Sequence, residues 1–284
     1  MTPKNCWQEV LAFPLAGRQA KPRTTGLTMV LDKGLGLIEA RDLFDLAGDY
    51  IDFVKLGFGT SALYDEKVLR AKIRLARDRG IDIYPGGTFL EVAVLQGKLH
   101  TFLLTARSLG FTAVEVSEGT IAVDDEMRRH AIATAADLGF KVLTEVGKKN
   151  NPHPVEPATL ARKVKSDLAA GAHRVIIEGR DCGRAAGFYD GRGQIRRRLL
   201  QEFLALIENP ADLIWEAPLK EQQQHLILLL GPNVNLGNVP PGEVLALEAL
   251  RVGLRSDTLQ AVCGPRVPAA AGDGQALGGA GRGG

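Results

Sequence analysis

The sequence predicts a (β/α)8 (TIM) barrel, and three observations lead to this fold class. The chain has 284 residues, of which 45% are hydrophobic, and this suits one large globular domain. From residue 28 onward, short runs rich in apolar residues alternate with longer stretches of helical periodicity. Eight such runs recur roughly every thirty residues, which is the size of one β-α unit. An open doubly wound sheet is the alternative, but DKGLGLIEARD after the first run lacks its glycine fingerprint.

The predicted strands and helices follow one another in a regular order. In chain order, the strands are TMVLDKG, YIDFVKLGFG, IDIYPGG, AVEVSEG, KVLTEVGK, RVIIEGR, LIWEAP and VNLGNV. Helical spacing is clearest in DEKVLRAKIRLARDRG, DEMRRHAIATAADLG and PATLARKVKSDLAAG. Many of the predicted helices end in a glycine, as a left-handed C-cap requires: Gly80, Gly110, Gly139 and Gly171. Strand followed by helix, repeated, predicts a parallel sheet.

Two terminal segments lie outside the predicted barrel, which spans residues 26–260. Residues 1–25 are interpreted as an N-terminal arm, a cap on the barrel floor, or a disordered segment. Residues 261–284 are rich in glycine and alanine and cannot bury enough apolar surface to order themselves, so we expect a flexible tail.

Composition excludes several classes of partner. With 35 basic and 33 acidic residues, the near balance gives no reason to expect a nucleic-acid or membrane surface. The most apolar stretch, HLILLLG, is too short to span a bilayer. Three cysteines, Cys6, Cys182 and Cys263, are far apart and show no metal or disulfide spacing. Reduced thiols and the absence of an apolar leader predict a cytoplasmic protein.

Charged and polar side chains stand at the carboxyl ends of nearly all the predicted strands. In a barrel, catalytic groups come from these ends, and residues two apart on a strand share a face. The set at this edge is Asp32, Lys33, Lys55, Glu115, Ser117, Glu145, Lys148, Glu178, Arg180, Glu216 and Asn235. Any one of these could be a structural ion pair, but together they predict a site.

The carboxylates of this set predict a metal. Several carboxylates on one rim repel each other unless cations separate them, so a divalent metal or the neighbouring lysines must be present. Oxygen ligands without a histidine or cysteine cluster favour Mg²⁺ over zinc. We expect Glu115, Glu145 and Glu178 to be the ligands or the partners of ligands.

Glycine-rich stretches predict a phosphate site. GPNVNLGNVPPGEV, with Asn235, Gly237 and Asn238, leads from the eighth strand into a helix whose N-terminus can bind an anion. YPGGT places Gly86 and Gly87 where a backbone can approach a ligand closely. The candidate arginines are Arg180, at the sixth strand end, and Arg251 and Arg255, in LEALRVGLRSDT.

Nine blocks of the sequence resemble the phosphosulfolactate synthase family in order and spacing. They are LDKGL, GDYIDFVKLGFGTSAL, YPGGTFLE, LGFTAVEVSEG, GFKVLTEVGKK, AGAHRVIIEGR, IWEAPLKEQQ, NVNLGNV and LEALRVGLRSDT, and they run from about residue 26 to 260. The resemblance implies a (β/α)8 barrel that adds sulfite to phosphoenolpyruvate with Mg²⁺ and forms (2R)-phospho-3-sulfolactate. This reaction opens coenzyme M synthesis in methanogens. The resemblance also implies a homo-oligomer such as a trimer.

The resemblance also implies roles for particular residues. Lys148, at the exit of the fifth strand, would deliver a proton to C2 of the substrate, whereas Lys149 would be its solvated neighbour. Lys33, Lys55 and the arginines would neutralise and orient the two anionic substrates. One segment departs from the family pattern, since RDCGRAAGFYDGRGQIRRR is rich in arginine where the family tends to show more lysine and acid.

Two other classes of function remain open at this point. The first is another phosphate-binding barrel lyase or aldolase, in which Lys55 would form a Schiff base. The second is a non-catalytic stress-associated barrel protein, since the same family includes plant heat-stress-associated proteins. Loss of a charged rim residue would favour this second class, and none is obviously lost.

Overall fold

The computed structural model describes residues 6–147 and 156–264. Within these ranges the chain forms eight parallel strands, one for each predicted strand. They are β1 (Thr28–Asp32), β2 (Phe53–Leu56), β3 (Asp82–Pro85), β4 (Ala113–Val116), β5 (Lys141–Val146), β6 (Arg174–Ile177), β7 (Leu213–Glu216) and β8 (Leu236–Val239).

Helices alternate with these strands along the described chain. They are α1 (Trp7–Val10), α2 (Leu37–Ala47), α3 (Glu66–Asp78), α4 (Gly87–Leu95), α5 (Leu99–Leu109), α6 (Asp125–Asp137), α7 (Pro157–Ala169), α8 (Arg197–Leu204), α9 (Lys220–Leu230), α10 (Val244–Arg251) and α11 (Ser256–Cys263). None of the helices in the described part of the chain is long and apolar enough to cross a membrane. The predicted (β/α)8 barrel is confirmed.

The sheet runs in the order β3-β2-β1-β8-β7-β6-β5-β4. The two outer strands of this order meet at the seam of the barrel through Thr112, whose backbone N–H donates to the carbonyl of Ile83 at 3.2 Å. The Ile83 N–H in turn donates to the Thr112 hydroxyl at 3.1 Å. The carboxyl ends of all eight strands therefore open onto one mouth.

Helix ends follow the signals in the sequence. Asp65 and Asp124 cap α3 and α6, and their carboxylates accept from backbone N–H groups of the first turn. The four glycines predicted to end helices all have a positive φ, which residues other than glycine rarely adopt. They are Gly80, Gly110, Gly139 and Gly171.

The barrel interior is apolar near the floor and charged near the mouth. A layer of buried apolar side chains fills the lower part: Leu27, Met29, Phe53, Tyr84, Ala113, Leu143, Ile176 and Ile214. On five strands a buried charged residue follows two positions later on the same face: Lys55, Glu115, Glu145, Glu178 and Glu216. The apolar layer separates these charged groups from the floor of the barrel.

The segment before β1 packs against the barrel floor. The Arg18 guanidinium bonds the Glu248 carboxylate at 2.8 Å, and Arg23 bonds Asp52 at 3.0 Å. The Lys21 ammonium donates to three carbonyls, those of Gly48, Ile51 and Arg79. Of the three interpretations of residues 1–25, the contacts of Arg18, Lys21 and Arg23 support a cap on the barrel floor.

The predicted C-terminal boundary falls inside a helix. Because α11 continues to Cys263, the boundary at residue 260 is placed too early. The remainder of the predicted tail, residues 265–284, lies outside the described residues.

A buried ion pair joins α6 to α7 behind β5. Arg128 donates to both carboxylate oxygens of Asp167, at 2.8 and 2.6 Å, and to the carbonyl of Glu145 at 3.0 Å. Both side chains are almost fully buried. The pair therefore ties two outer helices to the strand that carries Glu145.

Breaking this buried pair should destabilise the protein strongly. Asp167→Ala leaves the Arg128 guanidinium buried without its counter-ion, so we expect a loss of about 3–5 kcal/mol in the free energy of unfolding. The matched control is Glu202→Ala, which breaks an exposed pair with Arg198 and should cost no more than about 0.5 kcal/mol. Chemical denaturation followed by circular dichroism measures both, and equal losses would contradict the structural role of Asp167.

Candidate active site

Two adjoining cavities open at the carboxyl end of the barrel. The inner cavity has a volume of about 210 Å³ and the outer one about 430 Å³. Residues from β1 and β8 and the loop after β6 line both cavities: Leu31, Asp181 and Asn238. The inner cavity also reaches the buried charged layer at Lys55, Glu115, Glu145, Glu178 and Glu216.

Lys55 holds three carboxylates around one ammonium group. Its Nζ lies 2.9 Å from Glu115, 3.2 Å from Glu145 and 3.2 Å from Glu216. Burial alone would lower the pKa of Lys55, but the carboxylates of Glu115, Glu216 and Glu145 outweigh this and raise the pKa well above its usual range. Lys55 therefore carries a positive charge at the centre of the site.

The Glu115 side chain is fully buried. Burial raises the pKa of Glu115 to about 7, against the opposing effect of Lys55. One of its oxygens accepts from the backbone N–H of Gly87 at 2.9 Å. A Cβ at position 87 would lie 2.4 Å from that oxygen, so only glycine allows this contact. Glu115 is engaged by Lys55 and Gly87 on both sides.

Glu145, Glu178 and Glu216 form a cluster that could hold a metal. One oxygen from each lies within 4.8 Å of the others, and all three residues are buried. Backbone N–H groups fix two of them, since Gly179 donates to Glu216 at 3.0 Å and Arg180 donates to Glu178 at 2.7 Å. Three hard oxygen donors fit Mg²⁺.

This cluster differs from the predicted metal set in one member. The sequence predicts Glu115 with Glu145 and Glu178, whereas the structure groups the latter two with Glu216. Glu216 was recognised as a strand-end charge, but the sequence alone did not show which carboxylates face each other across the barrel.

Glu91 supports the site, and the sequence analysis missed it. The Ser117 hydroxyl donates to Glu91 at 2.6 Å and lies 3.3 Å from Glu145. The backbone N–H groups of Thr120 and Ile121 donate to the other Glu91 oxygen. Glu91 thereby holds the loop after β4 at the mouth. The only signal was a carboxylate within the otherwise apolar α4 sequence GTFLEVAVL.

Lys33 and Arg180 bring positive charge to the rim. Lys33 forms a half-exposed ion pair with Asp181 at 2.9 Å, and this hydrogen bond lowers the pKa of Asp181. The Lys33 ammonium also lies 5.5 Å from the ring centre of Phe58. Arg180 lines the inner cavity, and no hydrogen-bond or ion-pair partner of its guanidinium is found among the described residues. Both predicted cations reach the mouth.

The residues of the eighth strand that were predicted to bind phosphate lie at different levels of the barrel. Asn238 is buried at the strand exit and lines both cavities. The placement of Asn235 at this exit is wrong, because its side chain accepts from the Leu27 N–H and donates to the carbonyls of Ala211 and Leu213 near the floor.

Gly237 lies inside the barrel wall and has a packing role. A Cβ there would lie 2.4 Å from the Met29 methyl group and 3.1 Å from Ile214. The carbonyl of Gly237 accepts from the Ala217 N–H in the strand ladder. The absence of a side chain at Gly237 therefore serves close packing of the interior.

Gly86 and Gly87 line the inner cavity, but their N–H groups are already used. Gly86 donates to the Leu56 carbonyl, and Gly87 donates to Glu115. Neither N–H is free to bind phosphate, and the close approach of a ligand to Gly86 and Gly87 stays a prediction.

Two predicted arginines line neither cavity. Arg255 caps α11 and lines neither cavity, and its guanidinium lies 3.9 Å from Asp257. Arg251 is fully buried and donates to the carbonyls of Pro232, Val234 and Leu27. Burial lowers its pKa to about 9.

The predicted proton donor, Lys148, lies outside the described residues, as does its neighbour Lys149. The description of β5 and its exit ends at Gly147. The role of Lys148 stays a prediction.

Known proteins resemble this chain in fold and in sequence. A solved structure of 3-hexulose-6-phosphate synthase from Salmonella typhimurium covers 81% of this chain and 100% of its own, with a TM-score of 0.53 and 16% identity. At that identity the likeness concerns the fold alone.

Sequence relatives are closer. The phosphosulfolactate synthase of Methanothermobacter thermautotrophicus is 47% identical over 246 residues, which are 85% of this chain and 94% of the relative. That of Bacillus subtilis is 38% identical over 256 residues, covering 87% of this chain and 97% of the relative. The model of the (2R)-phospho-3-sulfolactate synthase (ComA) family matches residues 16–257. The chain thus belongs to the (2R)-phospho-3-sulfolactate synthase family.

Proposed function

We propose that this protein catalyses the Mg²⁺-dependent addition of sulfite to phosphoenolpyruvate, forming (2R)-phospho-3-sulfolactate. The observation that carries the proposal is the buried carboxylate cluster at the barrel mouth, with Lys55 inside it and Arg180 beside it. Family membership supports the same reaction. The arrangement combines metal-binding oxygens with positive groups that can receive a polyanion.

Glu145, Glu178 and Glu216 would hold the metal. A bound Mg²⁺ would stabilise the negative charge that develops on C2 and on the carboxylate of phosphoenolpyruvate when sulfite attacks C3. Lys55 assists by keeping Glu145 and Glu216 close together, since its ammonium offsets the repulsion between the two carboxylates.

Arg180 and Lys33 would bind and orient the anionic groups of the substrates. Phosphoenolpyruvate and sulfite repel each other, so their approach requires positive charge at the rim. The Arg180 guanidinium is planar, can bond a phosphate with two N–H groups, and has no competing partner among the described side chains. Lys33 would have to exchange Asp181 for substrate, and its half-exposed ion pair is weak enough to allow this.

The geometry favours the synthase over the two alternatives. A Schiff base requires a neutral amine, whereas Lys55 is surrounded by three carboxylates that keep it protonated. A non-catalytic scaffold would have no need of a charged rim, and the structure brings Lys33, Arg180 and the four buried glutamates to the same mouth.

Lys148 remains our candidate for the proton donor to C2. It follows Gly147 directly in the chain, at the exit of the strand that carries Glu145. A homo-oligomer and a cytoplasmic location likewise stay predictions.

Purified protein should convert phosphoenolpyruvate and sulfite into phosphosulfolactate only when Mg²⁺ is present. Mass spectrometry of the product measures the reaction, and chelation should abolish it until Mg²⁺ is restored. Glu216→Gln should weaken both Mn²⁺ binding, measured by electron paramagnetic resonance, and turnover, because one charged ligand is lost. Exposed Glu202→Gln is the matched control. Full turnover after exhaustive chelation would refute the metal role.

Replacement of the proposed proton donor should lower kcat selectively. A general acid contributes on the order of 10²–10⁴ in rate, so Lys148→Ala should lose that factor while still binding phosphoenolpyruvate. Lys149→Ala, one residue away, should change little. Equal losses in the two variants, or normal turnover in Lys148→Ala, would remove Lys148 from the mechanism and make Lys33 the next candidate.

Replacement of Arg180 should weaken substrate binding, whereas replacement of Arg255 should not. Arg180→Ala removes charge-assisted hydrogen bonds of about 1.5–3 kcal/mol, which corresponds to a rise of roughly 10–100-fold in KM for phosphoenolpyruvate. Arg255→Ala removes an arginine that lines neither cavity and should leave KM within about twofold of the parent value. Steady-state kinetics test both, and the reverse pattern would place the phosphate near α11.

A further inference from the structure

The loop between β6 and α8, together with the first two residues of α8, carries an excess of positive charge. Residues 179–198 contain six arginines and no lysine: Arg180, Arg184, Arg192, Arg196, Arg197 and Arg198. The only acidic residues in this range are Asp181 and Asp190. Because the whole chain has a net charge of only +2, this local excess is a distinct feature of the surface.

Most of these arginines form no ion pair with any described residue. Asp181 is paired with Lys33, and Asp190 accepts from the backbone N–H groups of Arg192 and Gln194. Arg198 is paired with Glu202. Among the described residues, the other guanidinium groups have neither a hydrogen-bond nor an ion-pair partner: Arg180, Arg184, Arg192, Arg196 and Arg197.

The loop holds these arginines on a fixed backbone. The buried Gln222 amide donates to the carbonyls of Gly183 and Gly193, at 2.6 and 3.0 Å. The Tyr189 hydroxyl donates to the carbonyl of Glu216 at 2.7 Å, and the backbone of Tyr189 pairs with that of Ile195 in an isolated antiparallel β-bridge. The loop is thus anchored to β7 and α9, and its charges cannot simply swing away together.

The loop begins at the active-site mouth. Its first residues, Glu178, Arg180 and Asp181, line the inner cavity, and its last residues lead into α8 from the same end of the barrel. Arg184, Arg192 and Arg196 are exposed. Positive charges that are unpaired in the described part of the chain therefore lie beside an opening whose interior is lined by carboxylates.

We propose that Arg184, Arg192, Arg196 and Arg197 form a collecting surface that steers small polyanions, here phosphoenolpyruvate and sulfite, into the mouth. This inference rests on the proposed function for the identity of the anions. A patch of one sign beside a cleft raises association rates of oppositely charged ligands by about 10–10³-fold. Arg180, which lines the cavity itself, would then receive the anion.

If the loop arginines act by steering, their effect on the association rate should depend strongly on ionic strength. Arginines that contact the substrate directly would show a much weaker dependence. The screening length falls from about 30 Å at 0.01 M salt to about 8 Å at 0.15 M, so distant charges lose their effect while direct contacts keep most of theirs. The test variant is the triple Arg184→Gln, Arg192→Gln, Arg196→Gln. The matched control is the triple Arg41→Gln, Arg74→Gln, Arg129→Gln, which removes the same charge from exposed arginines on α2, α3 and α6 that have no hydrogen-bond or ion-pair partner within residues 6–147 and 156–264.

We expect the loop triple to lower kcat/KM for phosphoenolpyruvate by roughly tenfold at about 0.01 M salt and to approach the parent protein at about 0.15 M. Its kcat should stay unchanged, and the control triple should follow the parent at both salt concentrations. The same salt dependence in both triples, or a loss of kcat in the loop triple, would overturn the proposal.

A binding measurement separates this proposal from the proposed function. Stopped-flow association of phosphoenolpyruvate with the Mg²⁺-loaded protein should show the same salt-dependent loss in the loop triple, whether or not sulfite is then added. If the parent protein makes no phosphosulfolactate but this loss is present, the proposed reaction fails and steering stands. If duplex DNA binds the parent but not the loop triple, while phosphoenolpyruvate associates equally with both, the loop serves a nucleic acid and steering is wrong.

Discussion

The ammonium of Lys55 is the interaction on which the candidate site depends. Three buried carboxylates lie within 3.2 Å of it, and no arrangement of these acids inside a barrel would be stable without a cation among them. One positive charge nevertheless does not balance the group, and burial raises the pKa of Glu115 to about 7. The remaining negative charge lies on the side of Glu145, Glu178 and Glu216, and this excess makes the cluster suitable for a divalent metal.

The same strand register builds both the core and the site. On five strands an apolar side chain seals the interior, and the residue two positions later carries a charge into the cavity. The glutamates are then held by the backbone, because N–H groups of Gly87, Gly179 and Arg180 donate to them. At two of these positions the close approach requires glycine, since a Cβ at Gly87 would lie 2.4 Å from the Glu115 carboxylate and one at Gly179 would lie 2.4 Å from the Glu216 carbonyl.

Local patterns in the sequence predicted the strands and most of the charged residues at the mouth. They could not predict which residues face each other across the closed barrel. Alternation and spacing were sufficient to find the eight strands and to place Lys55 and Glu145 at the mouth. The grouping of Glu216 with Glu178 depends on which strand ends face each other after the barrel closes. Sequence patterns place strand ends only to within a few residues, so Asn235, three positions before Asn238, was predicted at the mouth although it lies at the floor. Arg255 lines neither cavity, and no local signal in the sequence sets the path of the chain after α10.

The separation of charge at the mouth gives each sign a different task. If the loop arginines reached the interior, they would pair with Glu178 and Glu216 and occupy the place of a metal. Kept outside by the anchored loop, they do not compete with the proposed metal for those carboxylates, and they act on an approaching anion through space. Arg180 stands at the boundary between the two regions, since it belongs to the arginine-rich loop and lines the inner cavity. An anion that moves from the loop to Arg180 and then to the metal would meet positive charge at every step, although the buried wall of the site is acidic.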